Sequence, residues 1–183
     1  TGGGPIEAAP AVRDGRVFVG DAAGVFHAVD AHAGRRLWTF RTGQKIVSSA
    51  NFLGDGVMAG SYDRFLYCLS PATGGLRWSV ETDAQVHCSP CAAGNAAVVA
   101  GCDGVLRIAD GATGARIGSI DLPGNVAASP VFAGGRLYVA SFGGRLLCVD
   151  PAGPAVVWNV PVGRGGEPVA SSPAVSGDRV VVG

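Results

Sequence analysis

Charge is in short supply. Only 15% of the 183 residues are charged, 14 acidic against 14 basic, where about 25% is usual. A balance this sparse leaves no basic footprint for nucleic acid. Long apolar runs are missing too, and no stretch approaches the roughly 18 consecutive apolar residues of a membrane-spanning helix. Histidine stops at His27, His32 and His87, and no two of the five cysteines are adjacent. The first residues, Thr1-Gly2-Gly3-Gly4-Pro5, show neither an initiator Met nor a signal-peptide pattern. The expectation is a processed chain or a piece of a longer one.

Turn formers, by contrast, are abundant. The chain carries 30 Gly and 11 Pro, well above the ordinary share of about 12% for the two together, which is too much punctuation for a helical protein. Yet 48% of positions are hydrophobic, with mean hydropathy +0.32. That is enough to build a core, and it excludes disordered and collagen-like readings. The glycine must therefore sit in many turns.

Those turns recur. Ala8-Ala9-Pro10, Ser48-Ser49-Ala50, Cys88-Ser89-Pro90, Ala128-Ser129-Pro130 and Ser171-Ser172-Pro173 follow one another at steps of 40, 40, 40 and 43 residues. The longer last step coincides with an extended connection, Gly163-Arg164-Gly165-Gly166-Glu167-Pro168. Trp38, Trp78 and Trp158 keep the same period, as do Asp30, Asp110 and Asp150. Within each unit a two-residue turn signal closes the first apolar run, as Asp14-Gly15, Gly54-Asp55, Gly94-Asn95, Gly134-Gly135 and Gly177-Asp178. A second follows the next run, as Ala23-Gly24, Asp63-Arg64, Asp103-Gly104 and Gly143-Gly144, and a third, Asp30-Ala31-His32-Ala33-Gly34 and its copies, leads into the Trp strand. The intervening runs, such as Phe65-Leu66-Tyr67-Cys68-Leu69, are β-branched and aromatic and of strand length. Each unit is thus a four-stranded meander, and sheets of this size that cannot bury both faces alone are expected to stack radially as a β-propeller.

The residues Ser-Ser-Pro-Ala-Val, Arg-Val-(aromatic)-Val, Leu-(Tyr)-X-X-Asp and Ala-X-X-Gly-X-X-X-Trp resemble the PQQ-like (pyrroloquinoline-quinone-type) β-propeller repeat. Quinoprotein dehydrogenases and outer-membrane assembly lipoproteins of the BamB type share it. The resemblance runs from Pro5 to Gly183 and implies blades over 5–43, 44–83, 84–123 and 124–164, with half of a fifth at 165–183. It also implies a tryptophan-docking element, Gly34 with Trp38, Gly74 with Trp78, and Trp158, in which the indole stacks on the neighbouring blade. Two copies depart from it: Gly118 replaces the third Trp, and Pro154 stands in the glycine column beside Gly153. Pro cannot adopt positive φ, so that turn is expected to be rebuilt, and contacts around the third unit to be poorer by a few kcal/mol. Thr1-Gly2 resembles Thr42-Gly43, and the chain stops after two strands of a fifth unit, so a portion of a ring of roughly seven or eight blades is expected. Self-association of two half-rings is the alternative.

Chemistry is harder to place. His87-Cys88-Ser89-Pro90-Cys91 contains a C-x-x-C, but no second ligand pair completes a zinc site, and a redox pair belongs at a helix start. In an extended strand Cys88 and Cys91 face opposite ways, beyond disulfide reach. A turn at Gly94-Asn95 places Cys91 opposite Val98 and His87 opposite Cys102, while Cys68 and Cys148 belong to non-neighbouring units, so five free, structural thiols are expected. Ser48, Ser49, Ser171 and Ser172 recur in register with Ala8 and Ala9, which suits small residues that let inner strands converge, not a nucleophile. The scattered aspartates read as turn residues, not as a calcium loop.

The expected function is a non-catalytic propeller that presents its faces to a protein or polymer partner as a scaffold or sensor, with no evident cofactor. The alternative is a fragment of a quinoprotein dehydrogenase that binds PQQ with calcium. Such relatives add an adjacent Cys-Cys ring, a Trp beneath the quinone and Glu/Asn/Asp ligands. The resemblance implies a periplasmic or exported location; unpaired thiols suit a reducing, cytoplasmic one.

Overall fold

A computed structural model describes residues 3–162 and 167–183. Residues 163–166 of the expected connection over 163–168, and the expected blade tail at Thr1-Gly2, lie outside the described residues. Among those described, every regular element is a strand. The first four are β1 (Ala11–Arg13), β2 (Arg16–Gly20), β3 (Val25–Asp30) and β4 (Arg36–Arg41). The second sheet holds β5 (Asn51–Leu53), β6 (Gly56–Gly60), β7 (Phe65–Leu69) and β8 (Leu76–Glu81). The third holds β9 (Cys91–Ala93), β10 (Ala96–Ala100), β11 (Val105–Asp110) and β12 (Arg116–Asp121). The fourth holds β13 (Val131–Ala133), β14 (Arg136–Ser141), β15 (Arg145–Asp150) and β16 (Ala155–Pro161), and β17 (Ala174–Ser176) pairs with β18 (Arg179–Val181). All pairs are antiparallel neighbours in sequence, so each sheet is a meander. No helix of the described residues is long and apolar enough to cross a membrane.

Turn chemistry sets the registers. Asp14 and Gly15 both take positive φ, 49° and 70°, as do Gly134 and Gly135, the pattern of a two-residue hairpin that matches strand twist. The next turn needs one left-handed residue, and glycine supplies it at Gly24, Gly104 and Gly144. Arg64 takes it with a side chain, at φ 76°. The third strand of every complete sheet carries a register shift at one repeated place, between Ala28 and Val29, Cys68 and Leu69, Ile108 and Ala109, and Cys148 and Val149. The fourth sheet differs just beyond it: Asp150 pairs directly with Ala155, and β16 reaches seven residues where its counterparts have six. Pro154 excludes the left-handed φ that Gly34, Gly74 and Gly114 adopt, so the turn is rebuilt.

The core lies between sheets. Phe18, Phe26, Ile46, Val57 and Leu69 join the first sheet to the second, and Met58, Leu66, Trp78, Val86 and Val99 join the second to the third. A larger cluster from Cys88 to Val169 joins the third, the fourth and the start of the fifth. The short first strands adjoin in series, β5 to β9, β9 to β13 and β13 to β17, so the sheets radiate from a common axis.

Candidate interaction surface at the blade seams

The inner ends of the blades are joined by serine. The Ala9 N–H donates to Ser49 Oγ at 3.1 Å, Ser49 N–H to Ser89 Oγ at 3.0 Å, Ser89 N–H to Ser129 Oγ at 3.0 Å and Ser129 N–H to Ser172 Oγ at 2.9 Å. Each hydroxyl thus accepts from the preceding blade, which explains the serines at 49, 89, 129 and 172 more fully than small size alone. Ser48 Oγ works within its blade, accepting from Gly60 N–H and donating to Gly60 O, both at 2.8 Å.

At the outer ends the indoles cross the seams. The Trp38 Nε1–H donates to Pro71 O at 3.1 Å, and the Trp78 Nε1–H to Gly111 O at 2.9 Å. A Cβ on Gly74 would stand 2.6 Å from the Trp38 ring, and one on Gly114 would stand 3.0 Å from Trp78. The glycine that admits an indole therefore lies in the next blade; Gly34 itself faces open space. Gly114 was legible as the third member of the 34, 74 column. Trp158 packs at 6.0 Å from Tyr138 and remains 37% exposed. Where the third Trp is missing, a Cβ on Gly118 would stand 2.7 Å from Pro154 Cγ. The two departures from the repeat are thus one contact, with the proline ring of the fourth blade seated against the third.

Carboxylates act as further links. Asp63 Oδ2 accepts from Gly43 N–H at 2.6 Å and from Tyr67 Oη at 2.8 Å, and Asp103 Oδ2 from Asp83 N–H at 2.9 Å. Asp30, Asp110 and Asp150 accept backbone N–H groups two or three residues on, as Asx turns. Among the described residues no cluster of three or more His, Cys, Asp or Glu could hold a metal. His27 Nε2 meets the buried Asp21 at 2.8 Å, the His32 N–H donates to Asp30, and His87 Nδ1 meets Tyr62 Oη at 2.7 Å, with the Lys45 ammonium 4.5 Å above the Tyr62 ring.

All five cysteines are free, and only Cys102 is not buried. Burial pushes the Cys88 thiol up to about 12 and those of Cys68 and Cys91 up to about 11, away from thiolate chemistry. Cys91 pairs with Val98. Beyond the ladder the Cys102 N–H bonds Gln85 O at 3.1 Å, and the Cys102 thiol meets the His87 backbone.

Two grooves open at the rim, one repeat apart. That between the second and third blades, about 330 Å³, is lined by Leu53, Asp55, Arg77, Asn95 and Asp110. Arg77 and Asp55 form a two-pronged ion pair there, one prong 2.7 Å long. The groove between the third and fourth blades, about 360 Å³, presents Ala93, Ile117, Phe132 and Pro151, with Asn95 and Asp110 at its edge.

Radiating four-stranded meanders joined along repeated seams define a β-propeller. The family model described as "Outer membrane protein assembly factor BamB" matches residues 2–61, 50–117 and 102–183, and the chain belongs to that PQQ-like family. The crystal structure of BamB from Moraxella catarrhalis is similar, with TM-score 0.83 at 20% identity over 97% of this chain and 55% of that one. A computationally designed protein, Ika8, reaches TM-score 0.85 at 17% identity over 95% of this chain and 54% of that one. The chain therefore spans about half the length of these solved structures. No curated protein is matched. The five cysteines include no adjacent pair, and the three tryptophans lie on the fourth strands, whose indoles at positions 38 and 78 serve the seams.

Proposed function

We propose that the protein is a non-catalytic β-propeller module that holds a protein partner on its faces and rim. The supporting observation is where its chemistry-bearing side chains go. Serine hydroxyls, aspartate carboxylates and tryptophan N–H groups are bonded across seams or within turns, in columns that repeat from blade to blade. What varies between blades is the side chains at the rim and mouth, on short, rigidly placed turns that suit recognition. The name of the family model, an outer-membrane assembly factor, favours a protein partner over another polymer and an exported, periplasmic location.

Crosslinking of the intact protein in its native host, with mass spectrometry of the products, tests this. A reproducible protein partner crosslinked through rim or mouth residues is expected. Absence of any specific partner, or tight binding of PQQ with calcium accompanied by dye reduction, contradicts it.

A further inference from the structure

The apolar rim groove has a filled counterpart two repeats earlier. At the seam between the first and second blades, Arg13 reaches across from the end of β1. Its guanidinium carbon lies 4.1 Å from the centroid of the Phe52 ring, and Nη1–H donates to Gly54 O at 2.9 Å. One repeat on, cation and ring disappear together, because Leu53 follows Arg13 in its column and Ala92 follows Phe52. Two repeats on, only the cation is lost. Phe132 stands in the column of Phe52 and Gly134 in that of Gly54, but Ala93 occupies the place of Arg13. Ala93 and Phe132 both line the groove of about 360 Å³ between the third and fourth blades.

Charge at the edge completes the match. Asp110 lines the groove, and hydrogen bonds from the Thr113 hydroxyl and N–H hold its carboxyl below the usual carboxylate range, so it is an anion at neutral pH. In the neighbouring groove Arg77 neutralises Asp55; here Ile117 and Asn95 take those two places, and no arginine is among the residues that line the groove. The nearby Arg136 is engaged by Asp150 at 3.0 Å.

We propose that this groove is a docking site for an arginine side chain of a protein partner, which takes the place that Arg13 holds at the first seam. A planar guanidinium can stack on the Phe132 face while its edge donates to a backbone carbonyl and to Asp110. An ammonium, a compact point charge, lacks the planar face that stacks on the ring and the fixed fork of donors. The proposal rests on reading the propeller as a protein-binding module.

The test titrates the intact protein with the peptide acetyl-Gly-Arg-Gly-amide and with its lysine and citrulline counterparts, following the Phe132 ring resonances by NMR. Saturable shifts are expected with arginine, binding at least about threefold weaker with lysine, and none with the uncharged citrulline. Ala93→Arg supplies the guanidinium from within and should abolish the shifts, as should Phe132→Leu, which keeps the side chain apolar but removes the ring and is followed on the methyl resonances of Ile117 in the same groove. Arg13→Ala, at a half-buried position, should create a second set of shifts at Phe52. Absence of saturation, equal binding of lysine, or binding that survives Ala93→Arg overturns the proposal. Capture of a protein partner that Ala93→Arg leaves unchanged overturns the arginine site while the scaffold reading stands.

Discussion

The first two seams and the third solve one packing problem with different chemistry. At the first two, Thr42 Oγ1–H reaches Gln44 O at 2.7 Å and Thr82 Oγ1–H reaches Ala84 O at 2.6 Å, aspartates 63 and 103 take backbone N–H groups from the preceding blade, and an indole fills the outer end. At the third, Leu122 replaces the threonine, Pro123 has no N–H to donate, Gly143 has no carboxylate to receive one, and Gly118 meets Pro154. The N–H donor and the carboxylate acceptor are lost together, and no buried side-chain nitrogen or oxygen of the described residues lacks a partner. Removing donor and acceptor together avoids the cost of an unsatisfied partner. The inner serine bond from Ser89 to Ser129 is kept, and the largest apolar cluster, with Leu122 inside it, spans this seam. A blade can therefore drift from its repeat where the changes arrive as matched sets, and that drift is where an individual surface such as the apolar groove can form.

The largest expected effect concerns a docked indole. Trp78 is 6% exposed, and Trp78→Ala should cost about 3–5 kcal/mol in urea unfolding. A loss below about 1 kcal/mol would mean that the seam contact adds nothing to stability.

Next comes the glycine column. Gly74→Ala meets both a left-handed φ of 74° and the Trp38 ring, and should cost about 3 kcal/mol. Gly34→Ala meets the φ alone and should cost about 1 kcal/mol. A thermal-melt series with both variants at the same loss would break the assignment of indole to following blade.

A smaller effect concerns pH. Burial alone would raise the Asp21 carboxyl, but the hydrogen bond from His27 and the N–H groups of Val25 and Ala23 outweigh it and hold it below 3.8. A depressed carboxylate contributes stability that is present above its unfolded value and lost as pH falls through the folded one. Unfolding of the wild type should thus ease below about pH 4 more steeply than that of Asp21→Asn; parallel acid profiles would show that the pair contributes nothing. Smallest is thiol access: an aromatic disulfide reagent should label Cys102 first and leave Cys88 and Cys91 unreacted until denaturant is added, and prompt stoichiometric labelling of either would contradict their burial.

The blade was readable because its signals are local. The turns at Asp14-Gly15 and Gly134-Gly135, the strand runs between them and the pairing of Cys91 with Val98 all depend on residues a few positions apart. The seams depend on residues 20 to 43 positions apart, as from Gly43 to Asp63 or Ser129 to Ser172, and nothing within one repeat says which neighbour a side chain meets. Gly34 with Trp38 looks like a pair in the sequence because the two share a unit, whereas the packed pair is Trp38 with Gly74. Gly118 and Pro154 look like two separate lapses for the same reason. The rim grooves were less legible still: Arg13 and Phe52 become meaningful together only once two blades are placed side by side.

A double-mutant cycle at the third seam tests most directly whether its departures are one compensated contact. Gly118→Trp alone drives an indole into Pro154 and should destabilise, and Pro154→Gly alone should leave the space beside Gly118 unfilled and also destabilise. Together they rebuild the seam that Trp38 and Gly74 form, and the double variant should be more stable than the sum of the single changes by about 1–3 kcal/mol. Additivity to within about 0.5 kcal/mol would contradict the account, since it would mean that Gly118 and Pro154 changed independently.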